Sequence, residues 1–232
     1  MSFDFSVIFD NFPKLLLGAW LTVKLVVFSG VGGLILAFPL GIGRSSAKLW
    51  VRAFPWTYIF FFRGTPLMVQ MFLVYYGLSQ FEVIRHNEIL WPILRDPYWC
   101  ALITMSMHTA AYIAEILRGA IQAIPRGEIE AAISVGMSPG LILRRILIPR
   151  AVRIGLPAYS NEVILMLKGS ALASTITLLE LTGMARTIIA KTYMPVEIFL
   201  AAGFCYLVIS FLMVRAFRFA EHRLNRHIRD AR

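Results

Sequence analysis

Five stretches of this sequence are too long and too apolar to be the interior of a small water-soluble domain. A helix needs about 20 mostly apolar residues to cross a bilayer. Stretches near 15–43, 54–79, 98–123, 155–178 and 194–217 reach that length. Together they raise the hydrophobic share of the chain to 58%, against about 45–50% for soluble domains. With 232 residues, the chain has room for one helical bundle and none for a separate soluble catalytic domain. The expectation is an all-α integral membrane domain over residues 1–232 with five transmembrane helices.

The formal charge of +10 would suit a nucleic-acid partner if it formed one stripe. Instead the basic residues alternate with the apolar stretches. Arg44, Lys48 and Arg52 follow the first; Arg126, Arg144, Arg145, Arg150 and Arg153 follow the third; Arg215, Arg218, Arg223, Arg226, Arg229 and Arg232 follow the fifth. Those three segments hold more than half of the 23 lysines and arginines, with only Glu128, Glu130, Glu221 and Asp230 beside them. Lys and Arg accumulate in cytoplasmic loops, so the N-terminus is predicted outside and the C-terminus in the cytoplasm, and no nucleic-acid partner is expected. Residues 3–12 alternate apolar and acidic groups and suit a short interfacial helix. Trp91, Tyr98 and Trp99 suit an aromatic belt at the outer end of the third span, and residues 179–191 read as a short outer helix. Cys100 and Cys205 lie at or within apolar stretches without a CxxC or Cys/His cluster, so neither a disulfide framework nor a metal site is indicated. The acidic start lacks a basic n-region, so no cleaved signal peptide is expected.

The segment at about 124–150 is polar and patterned. Glu128 and Glu130 stand near a helix start, where the helix dipole favours acids. Ala131 and Ala132 leave room for another surface to approach. Gly136 suits a helix C-terminus, and Ser138-Pro139 suits the start of a second short helix. Leu141, Ile142, Arg145 and Ile146 would then form an apolar and basic face. This predicts a helix-turn-helix knuckle shaped for docking. The spacing of Glu130-Ala131-Ala132, Gly136, Ile146 and Pro149 resembles the EAA loop of ABC-importer permeases, with Ile148 where the pattern has Leu. The resemblance implies that this cytoplasmic loop sits on an ATPase subunit and couples to it through Glu128, Glu130, Ala131, Ala132, Gly136, Arg145, Ile146 and Pro149.

Other segments narrow the resemblance. Arg63-Gly64-Thr65-Pro66-Leu67-Met68-Val69-Gln70, Tyr112 to Ile121 and Leu156 to Lys168 resemble polar amino-acid permeases. They look most like the M-type subunit of histidine/lysine/arginine and octopine/nopaline importers. Many relatives continue Lys-Asp-Thr-Ser-Leu where this chain has Lys168-Gly169-Ser170-Ala171-Leu172, so a role for that acid does not carry over. The resemblance implies a multi-pass subunit of the bacterial inner membrane that moves polar or basic amino acids or opines inward by alternating access. It also implies a second permease subunit, Q-type or homologous, two ATPase subunits that hold ATP and Mg, and a periplasmic solute-binding protein. This chain has no Gly-rich phosphate loop ending in Lys-Ser/Thr and no nucleophile elbow. It is expected to bind no cofactor and to be no enzyme by itself.

An ionisable group at bilayer depth costs about 2.5–3.5 kcal/mol on insertion scales, so each one needs a reason. Glu162, beside Asn161, either faces the solute path and meets a cationic group, or forms an internal ion pair with Lys168 or Arg63. The resemblance supports the first reading. His108, Tyr112 and Glu115 share a helix face. They either line the path or form an interhelical seam in which Glu115 pairs with Arg118. Pro66 breaks the second span, with Arg63 available to cap carbonyls and Gln70 to face the cavity. The candidate solute-binding set is Glu162, Asn161, Tyr112 and Gln70. Lys24 snorkels outward, and Gly30, Gly32, Gly33, Gly41 and Gly43 permit close helix packing. The rival function is an ion-coupled transporter or channel that uses Glu162 and His108 as proton sites.

Overall fold

The computed structural model describes residues 4–229, with side chains through Leu224. The side chains of Arg226 and Arg229, together with Asp230 and Arg232, lie outside the described residues. Every regular element among the described residues is helical. Helix α1 spans Ser6–Arg44, α2 Leu49–Gly64 and α3 Leu67–Phe72, which runs on as a π turn and a 3₁₀ turn to Gln80. Short α4 (Glu82–Arg85) and α5 (Leu90–Leu94) lead to α6 (Pro97–Gln122). Then come α7 (Arg126–Ser134), α8 (Pro139–Ile142), α9 (Ile148–Gly169), α10 (Leu181–Thr192) and α11 (Pro195–Arg229).

Helices α1, α6 and α11 are each long and apolar enough to cross a membrane. The number rises to five if two bent helix pairs each count as one span. The segment expected as a second crossing broken at Pro66 is one of those pairs, bent by 103° between α2 and α3. The bend follows from Thr65-Pro66: both residues are extended, and a proline disfavours helix in the residue before it.

Two helix boundaries differ from expectation. Residues 6–12 are the first turns of α1 and form no separate interfacial helix; residue 3 lies outside the described residues. The stretch has no glycine to reverse the chain, and Asn11 Nδ2 donates to the Val7 carbonyl at 3.0 Å. α8 is likewise not a separate short helix. It passes through a π turn at Leu143–Leu147 directly into α9. The wider turn ends just before Pro149, whose ring and missing amide disturb a regular α-helix.

α1 packs along α6 because both offer small residues. A β-carbon on Gly33 would lie 2.6 Å from Thr109 Cγ2 and 3.2 Å from the Ser106 carbonyl, and one on Gly41 would lie 3.0 Å from the Ala114 carbonyl. Such backbone proximity lets apolar helices associate by dispersion where no water is expelled. α6 also packs on α9, and α9 on α11. The largest buried cluster includes Leu25, Met71, Met105, Val163, Met166, Leu167 and Ile176. Many large apolar side chains stay exposed, among them Leu17, Trp20 and Ile35 on α1 and Phe204, Leu207 and Phe211 on α11. Patches of that extent are foreign to soluble monomers and suit a lipid-facing surface.

Glu180 ties the peripheral helices together. It is fully buried and caps α10 by accepting from the Thr182 and Gly183 amides at 2.9 and 2.8 Å. It also accepts from the Tyr206 hydroxyl of α11 at 2.9 Å and the Thr22 hydroxyl of α1 at 3.3 Å. Thr22 in turn accepts from the Leu181 amide at 3.0 Å.

The packing sets the expected stability of three variants. Glu180→Ala strands several buried donors and should cost about 2–3 kcal/mol, read as a lower midpoint of thermal unfolding of the assembled complex; an unchanged midpoint would refute the hub. Gly33→Leu overpacks the α1–α6 seam and should cost about 2 kcal/mol. Gly203→Ala, where a β-carbon meets no atom within 4 Å, should leave the midpoint where it is or raise it.

Candidate functional site

The break at Pro66 organises the middle of the bundle. In an unbroken helix the Phe62 carbonyl would accept from the amide of residue 66, and proline has none. Gln70 fills the gap: its Nε2 lies 3.0 Å from the Phe62 carbonyl, 3.0 Å from the Thr65 carbonyl and 2.7 Å from Thr65 Oγ1. Its Oε1 is 3.0 Å from His108 Nδ1 on α6. An amide oxygen only accepts, so Nδ1 carries the hydrogen. Gln70 is thus buried as the end cap of α2, one step behind the cavity wall.

That wall encloses a cavity of about 250 Å³ between α3, α6 and α9. His108 and Tyr112 of α6 and Glu162 of α9 line it, with Thr109, Met105 and Met166. Glu162 is only 8% exposed. Its Oε1 receives a long contact of 3.5 Å from the Thr109 hydroxyl, which also lies 3.1 Å from Met166 Sδ. Among the described residues no Lys or Arg nitrogen comes within 4 Å of Glu162, so the internal ion pair with Lys168 or Arg63 is not formed. A buried carboxylate with one weak donor is a strong site for a cation.

The structure gathers Glu162 and Tyr112 at this cavity and places Gln70 just behind His108. It does not bring Asn161 there; that side chain is exposed beside Glu162. Among the described residues Arg63 caps no carbonyl. Its guanidinium lies over the Tyr112 ring, 5.1 Å from the centroid, and the His108 ring stands 5.1 Å from the same centroid. Glu115 takes both Arg118 Nε and Nη2 at 2.9 and 2.8 Å. Thr109 and Met166 do not stand out in the sequence, where they look like ordinary members of apolar faces. Met166 lies four residues after Glu162 and so shares its helix face. A second crevice of about 180 Å³, between α1, α6 and α9, is almost wholly apolar and has no charged group to hold a polar solute.

The segment 124–150 is a knuckle outside the bundle. α7 ends in a Schellman turn: the Met137 amide donates to the Ala132 carbonyl at 3.1 Å and the Gly136 amide to the Ile133 carbonyl at 2.9 Å. Gly136 sits at φ +78°, which only glycine adopts freely. Glu130 and Ala131 are exposed, while Ala132 is buried under them. Ile133 and Val135 are 60% and 77% exposed. Arg145 and Pro149 are exposed too, and Ile146 is half-buried. Arg150 Nε donates to Glu128 Oε2 at 2.9 Å, and Arg150 Nη2 closes on Glu128 Oε1, pinning α7 to the start of α9. This hydrogen bond holds the Glu128 carboxyl below its ordinary range.

Comparison with known proteins agrees over nearly the whole chain. The chain is 50% identical to the octopine transport system permease protein OccM of Rhizobium meliloti, covering 97% of this chain and 91% of that protein. It is 45% identical to the nopaline transport system permease protein NocM of Agrobacterium fabrum, covering 97% and 94%. It is 42% identical to the histidine/lysine/arginine/ornithine transport system permease protein HisM of Escherichia coli, covering 92% and 90%. Among solved structures, a chain of an amino acid ABC transporter with histidines matches with TM-score 0.85 and 30% identity, over 96% of this chain and all of that one. The inward-facing MetNI methionine ABC transporter shares the fold, with TM-score 0.77 at 18% identity over 93% of this chain and 98% of that one. The family described as binding-protein-dependent transport system inner membrane component matches residues 29–226, and the chain belongs to that family.

Proposed function

We propose that the chain is the membrane-spanning permease subunit of an ATP-driven importer, with Glu162 holding the cationic group of an amino acid or opine during passage. The observation that carries this reading is the buried Glu162 carboxylate, which opens on a cavity and has no basic partner within 4 Å among the described residues. A resting protein gains nothing from such a group, but a cationic solute offsets its desolvation. The solutes in the relatives' names support the class: octopine, nopaline, arginine, lysine, ornithine and histidine all join a carboxylate to a basic side group. Tyr112 lines the cavity for the solute, Gln70 holds His108 in place, and Asn161 would reach the path only in another state of the bundle.

In this reading the chain is one transmembrane domain of the inner membrane. α2 with α3, and α9, complete five crossings with α10 as a short outer helix, the N-terminus is periplasmic and the C-terminus cytoplasmic. The knuckle of α7 and α8 rests on an ATPase partner. Its exposed Ile133 and Val135, beside the bare backbone at Gly136, form an apolar patch that a partner would cover. A second permease subunit, two ATPase subunits carrying ATP and Mg, and a binding protein complete the importer. Closure of the ATPases would push α7, and the Glu128–Arg150 pair passes that push to α9, the helix that carries Glu162. Access then alternates by differential binding to two states.

The deciding experiment is uptake of labelled arginine, histidine and octopine into proteoliposomes. They contain this chain with its permease and ATPase partners, with ATP inside and binding protein outside. ATP-dependent accumulation of at least one solute is expected, and accumulation that follows a proton gradient regardless of ATP would overturn the reading in favour of ion coupling. Glu162→Gln should lower that uptake at least tenfold with the complex intact, while normal uptake would remove Glu162 from the path.

For the knuckle, Gly136→Val should abolish stimulation of ATP hydrolysis by loaded binding protein, because a β-branched residue is strained at positive φ. Reversing Glu128 alone should do the same, and exchanging Glu128 with Arg150 should restore part of it. The lowered Glu128 carboxyl makes this ion pair complete above its unfolded pKa and lost only as pH falls through the still lower folded value. Stimulation should therefore not change with pH near neutrality on account of this pair. Full stimulation in both single variants would sink the docking role.

A further inference from the structure

A second cavity, of about 370 Å³, lies between α1, α2 and α6 on the other side of Tyr112. Its volume is within the range of small-molecule sites, about 300–1,000 Å³. Arg44 lines it from the last turn of α1, Trp56 and Arg63 from α2, and Tyr112 and Glu115 from α6. Tyr112 also lines the Glu162 cavity, so its ring is a shared partition. Glu115 is one turn further along α6 than Tyr112, so this second cavity is displaced towards the end of α6 that carries Gln122.

The charges in this cavity do not balance. Arg44 and Arg63 line the cavity against the single carboxylate of Glu115, and Arg118 beside it already donates to Glu115 Oε2 through both Nε and Nη2. Arg44 Nε lies 3.5 Å from Glu115 Oε1. It is also the buried side-chain donor that makes no hydrogen bond among the described residues. Arg63 makes no ion pair within 4 Å among them; its charge rests on the Tyr112 ring. The orphaned guanidinium donor of Arg44 is costly where it is buried, and one incoming carboxylate would offset that cost while meeting the unpaired charge of Arg63. Arginine forks match carboxylates in geometry as well as charge.

We propose that this cavity is a second solute station, in which Arg44 and Arg63 hold the carboxylate of an amphoteric solute that has passed Tyr112 from the Glu162 cavity. The inference rests on the reading of Glu162 as the site for the solute's cationic group. The two stations recognise opposite ends of the same molecule, so neither needs to bind it tightly. For passage Tyr112 must swing, and Arg63, stacked on its ring, is placed to leave the ring for the arriving carboxylate.

The test counts sites. The assembled permease–ATPase complex, in nanodiscs without binding protein, is dialysed to equilibrium against labelled arginine, histidine and octopine in turn. Agmatine, which is arginine without its carboxylate, serves as competitor for the arginine sites. Two sites per copy of this chain are expected, falling to one in Glu162→Gln and to none in Glu162→Gln/Arg63→Gln. The site that survives Glu162→Gln should resist agmatine, and Arg63→Lys, which keeps the charge, should retain part of its binding. One site per chain that Glu162→Gln removes would overturn the second station and keep the first. A surviving site that is indifferent to Arg63→Gln, or equally open to agmatine, would overturn it too, as would absence of binding by all three solutes. Two sites that Glu162→Gln leaves intact, with one lost in Arg63→Gln alone, would keep this station and remove Glu162 from solute binding. Arg63 is exposed, so its replacement does not threaten folding.

Discussion

The bundle depends on how it satisfies backbone groups that a proline leaves without partners. Inside an apolar environment an unpaired carbonyl costs several kcal/mol, and Pro66 removes the amide that would have served Phe62. Gln70 supplies the missing donor and is itself fixed by His108 of α6. One side chain thus lets the chain turn by 103° without an unsatisfied carbonyl and attaches the turn to the central helix. The Glu162 cavity lies beside this turn. An unbroken second span would carry the chain past α6 and α9, whereas the bent one leaves Leu67 as part of the cavity wall.

The same economy of contacts explains why α6 is the axis of the molecule. Its small residues, Ser106, Ala110 and Ala114, meet the glycines of α1. Its other faces carry His108, Tyr112 and Glu115 towards α2 and α3, and Thr109 towards Glu162. A helix seated this closely against α1 cannot rotate alone. In the proposed importer, motion delivered to the bundle would pass instead through α9, which is joined to the knuckle by a π turn and by the Arg150–Glu128 pair.

Much of this was legible in the sequence because apolar length and proline position are local properties. The long runs gave the helices, Pro66 gave the break, and Gly136 with Ser138-Pro139 gave the turn of the knuckle. The continuity of α1 back to Ser6 and of α8 into α9 was not legible, because acidic or proline-containing stretches resemble helix ends unless tertiary context carries the helix through them. Glu162 and Tyr112 stood out as polar groups in apolar runs. Arg44 did not, since a basic residue at the end of a span looks like loop charge until α6 places Glu115 beside it. Asn161 looked like a partner of Glu162 by adjacency, yet neighbours on a helix diverge by about 100° and face different surroundings.

Four glutamates, Glu115, Glu162, Glu180 and Glu197, show how differently one side chain is received within the same bundle. Glu180 has four donors, two of them backbone amides, and is a finished structural hub. Glu197 lies in the first turn of α11, where free amides favour an acid. Glu115 is held by arginines of α1 and α6. Glu162 alone has a single donor, at 3.5 Å, and opens on a cavity. Stabilising the fold does not require leaving that carboxylate under-satisfied, since a leucine there would pack without desolvating a charge. The sequence marks all four residues with the same letter, and their partners distinguish Glu180 and Glu115, each held by several donors, from Glu162, which faces a cavity with one long contact.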